Sequence, residues 1–276
     1  MVSRSGHRPN LFDGKVALVT GASSGIGMAV TEKLVAAGAR VAIAARRKAL
    51  LDELVARLGP DRVAAFAVDV TDLDAVMALP GLAVQRFGGL DILVNNAGVN
   101  HRGPILAHSA RALGEIVTTN LTAPVVLTRA AAEHLRPGGA IVNVASLAGM
   151  IPVPHEAAYS ASKAGLRAFT RSLREEFPKL QVATVSPGPV DTSFFGNDVS
   201  KVPDIVFSQP MSSVDTVADA VMACIQGTRP EIALPRLSGI LATTGYVFPQ
   251  MARLLRPMLE RRGAAAKARY ALRTAK

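Results

Sequence analysis

Short apolar runs alternate with helix-like repeats over most of this 276-residue chain. Residues 16–19 (Val-Ala-Leu-Val) form a continuous apolar run between Gly14 and Gly21, the pattern of a strand buried on both faces. After a stretch of glycine and serine, apolar positions recur at Met28, Val30, Leu34, Val35 and Ala37 and stop at Gly38. That spacing predicts a helix over 28–37 with a glycine stop. A second strand is predicted at 40–44 and later ones at 63–68, 92–94, 140–145, 182–186 and 232–234, with helical segments between them. This alternation implies an α/β fold, a parallel sheet covered by helices on both faces. The length and a hydrophobic content of 49% suit one compact domain with a sizeable core.

Three patterns in this frame carry chemistry. The first is the turn Thr20-Gly21-Ala22-Ser23-Ser24-Gly25-Ile26-Gly27, between a predicted strand and a predicted helix. Glycines lacking Cβ let a backbone approach a pyrophosphate, and a helix N-terminus supplies N–H donors and positive potential. A strand, turn, helix and second strand within about thirty residues make this a dinucleotide-type pattern. The second is Tyr159-Ser160-Ala161-Ser162-Lys163, which puts a phenol and an ammonium on one helix face. A nearby cation is expected to lower the phenol pKa and allow proton exchange with an alcohol or carbonyl oxygen. Alone this pair is common, but Ser146 lies thirteen residues upstream. The third is Asn95-Asn96-Ala97-Gly98 after the apolar run 92–94; taken alone it reads equally as an ordinary turn.

With these motifs in this order, and with Pro187-Gly188 later, the chain resembles the short-chain dehydrogenase/reductase family over roughly residues 15–235. No motif residue is substituted. The resemblance implies a doubly wound Rossmann-type parallel sheet in a single domain, followed by a C-terminal helical extension. The divisions it suggests are an N-terminal arm (1–14), a cofactor-binding and catalytic domain (15–236) and a basic extension (237–276). It implies a catalytic set of Asn120, Ser146, Tyr159 and Lys163. Tyr159 would be the general acid or base and Ser146 a donor to the substrate oxygen. Lys163 would hold the cofactor ribose, and Asn120 would support a water linking Lys163 to solvent. Cofactor contacts are implied at Gly21, Ser23, Ser24, Gly25, Ile26 and Gly27, at Asp69 and Val70, at Asn96, Ala97 and Gly98, and at Pro187, Gly188, Val190 and Thr192. A homodimer or homotetramer is also expected from the resemblance.

Cofactor choice turns on the second strand. An acid about twenty positions after the glycine turn would accept from the ribose hydroxyls of NAD. Its expected place is Ala45, followed by Arg46 and Arg47. A missing carboxylate and a guanidinium suited to phosphate favour NADP(H) over NAD(H). The reaction is then hydride transfer between nicotinamide and a carbonyl or secondary alcohol, favoured as reduction in the cell. A lid over 192–213 with Phe194, Phe195, Val199, Val202, Ile205, Val206, Phe207 and Met211 suits a lipophilic ketone or aldehyde. The alternative is a non-catalytic NADP(H)-binding regulator or scaffold.

Charge and composition change the picture mainly at the C-terminus. Of the net charge of +10, residues 253–276 hold eight basic residues against one acid, a net of +7, leaving +3 elsewhere. With one aromatic there and no recognition motif, nucleic acid is not an expected partner. Residues 237–252 carry no charge, yet sixteen residues interrupted by Pro249 are too few to span a bilayer. Val247, Met251, Leu254, Leu255, Met258 and Leu259 recur at helical spacing among Arg253, Arg256, Arg261 and Arg262, and Pro257 is expected to kink this helix or start a second. One or two short amphipathic helices are therefore predicted over 237–259 beside the substrate opening, with 263–276 mobile or weakly helical. Such a stripe can lie on a membrane surface, pack over the substrate mouth or meet another subunit, and packing is favoured. A single Cys224 excludes an intrachain disulfide and fits a reducing compartment. The polar, basic first ten residues lack the apolar core of a secretory signal, so a cytoplasmic location is expected. The five histidines show no metal-ligand spacing.

Overall fold

The computed structural model describes residues 11–192, 194 and 199–274, so Phe195 of the expected lid and most of the N-terminal arm lie outside the described residues. Seven parallel strands form one sheet in the order β3-β2-β1-β4-β5-β6-β7. They are β1 (Val16–Thr20), β2 (Arg40–Ala45), β3 (Val63–Ala67), β4 (Leu90–Asn95), β5 (Leu135–Val144), β6 (Gln181–Pro187) and β7 (Glu231–Leu234). Each lies where an apolar run predicted it, with ends displaced by a few residues.

The strands explain their own composition. Along β1, Ala17 and Val19 face one core layer, and Val16 and Leu18 face the other. Successive side chains point to opposite faces and both faces are covered, so residues 16–19 are all apolar and the polar Thr20 comes only at the carboxyl end. On the first face lie α1 (Gly25–Ala36), α2 (Lys48–Leu58) and α7 (Val214–Ile225). On the second lie α3 (Leu73–Phe87), α5 (Ala123–Ala132) and α6 (Ala157–Glu176). The remaining helices are α4 (Ala110–Val117), α8 (Arg236–Val247) and α9 (Pro249–Thr274).

Three local predictions change. Helix α1 begins at Gly25, three residues before the predicted start at 28, because the last two glycines of the turn already form its first turn. The segment 263–276, expected to be mobile or weakly helical, continues α9 as far as Thr274. Pro257 does not start a second helix but lies inside α9, and the break falls at Phe248. The tail is ordered by long-range contacts. Lys267 Nζ donates to the carbonyls of Ser200 (2.8 Å) and Val202 (2.6 Å) and pairs with Asp204 (3.1 Å). The Tyr270 hydroxyl reaches Asp191 at 2.7 Å, and Gly263 is buried against the Asp204 carbonyl. Sequence spacing along α9 shows none of these partners.

Candidate active site

The strand order reverses between β1 and β4, and at their carboxyl ends the sheet opens into a crevice, the place where doubly wound sheets bind ligands. The glycine turn is fastened there by backbone packing. Thr20 Oγ1 accepts from the amides of Asn96 and Ala97, both at 3.1 Å, while Asn96 Nδ2 donates to the carbonyls of Thr20 (2.9 Å) and Gly21 (3.2 Å). Gly21 adopts φ +67°, and a Cβ on it would lie 2.8 Å from Ala97 Cα. A Cβ on Gly27 would run into the Gly21 carbonyl oxygen. These glycines are therefore required by the meeting of β1 and β4 as well as by any ligand.

The first turn of α1 supplies unsatisfied N–H groups at this crevice. Its N-cap, Ser24, makes no side-chain capping bond. Instead Arg47 Nη2 donates to Ser24 Oγ (2.7 Å) and to Ser23 Oγ (2.9 Å). A guanidinium, two hydroxyls and a helix N-terminus thus converge, a donor set that fits a phosphate. Arg46, the other arginine after Ala45, has Asp69 3.9 Å from its Nη1. Asp69 is also committed to the amide (3.0 Å) and hydroxyl (2.9 Å) of Thr71. Arg47, which sequence alone could equally place on the surface as a helix-opening residue, is the arginine turned onto the glycine loop.

The catalytic candidates come from three other elements. Ser146 follows β5, accepts from the Ala148 amide at 3.1 Å, and stands close enough to Tyr159 to lower its pKa. Tyr159 and Lys163 lie one turn apart on α6, and both are buried. Lys163 Nζ donates to the Val144 carbonyl at 2.9 Å and sits 6.0 Å from the Tyr159 ring centroid. Asn120 lies in a π-turn (Thr118–Thr122) between α4 and α5. Its Oδ1 accepts from Val99 N (2.8 Å), and its Nδ2 donates to Val99 O (2.9 Å) and Ser162 Oγ (3.1 Å). The extra residue in that turn re-aims the helix and leaves its carbonyls off the regular ladder.

Burial sets the protonation states. The Tyr159 hydroxyl is pushed up to about 12, first by burial and further by Glu156, while Ser146 and Arg102 pull it down. The expected lowering is not found: removal from water is the largest effect, and the positive charge that opposes it is that of Arg102. Lys163 is pushed down to about 8 by burial alone. At neutral pH the phenol is protonated and the ammonium is mostly charged.

The candidates line one cavity of about 1210 Å³. It is bounded by Gly21, Ser23, Ser24, Gly25, Ile26, Arg46, Arg47, Asp69, Val70, Asn96, Ala97, Gly98, Ser146, Tyr159, Lys163, Pro187, Gly188, Val190 and Thr192. Asn120 and Gly27 stand behind this lining, a Cβ on Gly98 lying 3.2 Å from Asn120 Oδ1. Thr192 Cγ2 would stand 3.3 Å from a Cβ on Gly25, so the segment after β6 closes over the glycine turn. The glycine-lined part suits a dinucleotide. Leu147, Ile151, Val153, Ile205 and Val206 give the rest of the lining an apolar character.

Sequence reasoning missed Arg102 and Glu156. Arg102 Nε donates to Glu156 Oε1 at 2.9 Å, with both side chains largely buried. Its guanidinium also donates to the Phe194 carbonyl (3.2 Å) and lies 5.5 Å from the Phe194 ring centroid. The Phe194 ring in turn stands 6.0 Å from that of Tyr159. Burial raises the Glu156 carboxyl, and Arg102 opposes that rise. Nothing local marks either residue: they are fifty-four positions apart and meet only in the folded chain.

Known proteins agree with this architecture. The short chain dehydrogenase family model matches residues 15–202. A dehydrogenase/reductase SDR family member 7B from Danio rerio is 32% identical over 98% of this chain and 90% of that protein. An SDR family protein 7-like from Anopheles gambiae is 36% identical over 66% of this chain, which spans only 61% of that relative. A short-chain dehydrogenase structure from Streptomyces avermitilis is 33% identical, with a TM-score of 0.75 over 90% of this chain and 97% of that one. Another, from Burkholderia cenocepacia and in complex with NADP, is 32% identical with a TM-score of 0.73 over 82% of this chain and 98% of that one.

Proposed function

Because the chain belongs to the short-chain dehydrogenase/reductase family, we propose that it is an NADP(H)-dependent oxidoreductase that reduces a lipophilic ketone or aldehyde. The observation that carries this reading is a convergence. Tyr159, buried and sharing the cavity wall with Ser146 and Lys163, lies in the same cavity as the Arg47–Ser23–Ser24 cluster at the α1 N-terminus. In this reading residues 15–236 form the catalytic body and 237–276 an arm beside the substrate opening. A homodimer or homotetramer in the cytoplasm remains the expected assembly.

The residues would divide the work as follows. Arg47, Ser23 and Ser24 would take the 2′-phosphate, with Arg46 covering the adenine, and the absence of an acid at Ala45 leaves room for that charge. The glycine turn and α1 N-terminus would hold the pyrophosphate. Lys163 would hold the ribose, and Val190 and Thr192 the carboxamide. When bound, NADPH supplies the reducing equivalent. Ser146 and Tyr159 would donate to the carbonyl oxygen, and Tyr159, kept protonated by a pKa of about 12, would deliver the proton. Asn120 would position a proton route behind Lys163 and hold the Val99 segment in place. Arg102 would keep Phe194 against Tyr159 and close the site to water.

The test is NADPH and NADH oxidation with a panel of apolar ketones and aldehydes, alongside direct cofactor binding. NADPH-dependent turnover lost in Tyr159→Phe supports the reading. Tight NADPH binding with no turnover on any carbonyl, and no oxidation of the matching alcohols with NADP, would make the chain a cofactor-binding regulator instead.

A further inference from the structure

The mouth of the cavity is formed by the two C-terminal helices, and their outer surface is unusually apolar. On α8, Leu237, Ile240, Leu241 and Val247 are 53–68% exposed at a spacing of three, four and ten residues, and Phe248 follows at 59%. On α9, Met251, Leu254, Leu255 and Met258 repeat the i, i+3, i+4, i+7 pattern, and Leu254 is 81% exposed. Each set is a single stripe on its helix. Leu241, Tyr246, Met251, Leu255 and Met258 are both exposed and part of the cavity lining, so they are its rim. Leu237, Ile240, Val247, Phe248 and Leu254 lie outside that lining. A contiguous apolar surface of this kind on a soluble fold marks a docking face.

The charge around it selects the occupant. From 236 to 274 the chain holds eight basic residues and one acid, Glu260. Glu260 is taken by Arg256 at 2.8 Å. Arg253, Arg261 and Arg262 are exposed beside the stripe, and Arg253, Arg256 and Arg262 reach the cavity rim. A second copy of this chain docking face to face would bring these arginines together, which disfavours it, and charge is depleted at the centre of protein interfaces. Among the described residues no helix is long and apolar enough to cross a membrane. Apolar side chains interspersed with arginines match the boundary between acyl chains and anionic headgroups.

We infer that α8 and α9 dock on an anionic lipid surface with the cavity mouth facing the lipid. Docking stands apart from the reaction. Delivery of a lipophilic carbonyl from the bilayer to Tyr159 rests on the oxidoreductase reading. The experiment is flotation of the full chain with vesicles of phosphatidylcholine, with and without phosphatidylglycerol, at low and high salt. The protein should float with the anionic vesicles and be released by salt. Leu237→Glu/Leu254→Glu, whose sites lie outside the cavity lining, should bind about tenfold or more weakly while melting as the parent does. It should retain turnover of a water-soluble ketone and lose turnover of a long-chain ketone carried in vesicles. Failure to float, or equal and salt-insensitive binding to neutral vesicles, overturns the inference. So does a double variant that changes oligomer size in light scattering without changing flotation, which would assign the face to a second copy. Flotation without turnover of any carbonyl would leave docking in place and overturn the proposed reaction instead.

Discussion

The two ends of the cavity are built by opposite means. The cofactor end is main chain held close to main chain: β1 is buried, the side chains of Thr20 and Asn96 lace the glycine turn to β4, and glycines sit where a Cβ would strike the neighbouring main chain. The substrate end is side chains laid on side chains. Helices α8 and α9 leave large apolar residues in solvent, and α9 is tied back by Lys267 to Ser200, Val202 and Asp204 and by Tyr270 to Asp191. The first construction tolerates almost no change of shape. The second can change its lining without disturbing the sheet. That difference explains how one cofactor frame can serve many substrates, and why the frame alone does not reveal which one.

The sharpest test separates chemistry from both ends. Tyr159→Phe should lower kcat by roughly 10²–10⁴-fold while NADPH affinity is unchanged, because only the transferable proton is lost. Stopped-flow turnover and cofactor fluorescence would read the two quantities. Near-parental turnover would remove Tyr159 from the mechanism.

The next test asks which arginine selects the cofactor. Arg47→Ala removes the guanidinium on Ser23 and Ser24 and should shift preference from NADPH to NADH by roughly ten- to hundredfold, the value of a charged hydrogen bond. Arg46→Ala should shift it less, since Arg46 faces Asp69. The reverse ranking in kcat/KM for the two cofactors would return the phosphate to Arg46.

A pH titration probes the rigid end without mutation. Lys163 has a pKa of about 8 through burial, so it is charged below that pH and neutral above it. NADPH affinity should therefore fall about tenfold from about pH 7 to about pH 9, and Lys163→Met should abolish the inflection. The same shift affects stability. The folded value lies below the ordinary 10.5, so charged Lys163 costs stability below about 8, and that cost is relieved as pH rises through 10.5. Chemical denaturation of the parent and of Lys163→Met across this range would show whether that rise belongs to Lys163.

The smallest effects should come from the substrate end. A Cβ on Gly263 would meet the Asp204 carbonyl, so Gly263→Val should lift α9 from the lid. We expect KM for a bulky ketone to rise about fivefold with NADPH affinity unchanged. Deleting residues 263–276 should do the same, whereas a mobile tail would make the deletion silent. A loss of cofactor affinity in either variant would show that the two ends are coupled.

Much of this molecule is local, and its sequence displays it. A buried parallel strand needs a continuous apolar run, so all seven strands appear in the pattern before any contact is known. The glycine turn and the Tyr159/Lys163 spacing are equally local, since one turn of helix fixes which residues share a face. Where the reading erred, the deciding partner was remote. Helix α9 is ordered through 263–274 by Asp191, Ser200, Val202 and Asp204, and Arg102 finds Glu156 across the chain. Sequence spacing also does not show which arginine meets Ser23 and Ser24; the fold brings Arg47 there. The Tyr159 pKa rises because surrounding elements exclude water, a quantity no spacing encodes. Residue pattern determined the elements and the reactive groups they carry, since these follow from neighbours within a turn or a strand. The tertiary structure decided protonation, the partners of Arg47 and the residues at the mouth, because each depends on burial and on charges brought together from distant parts of the chain.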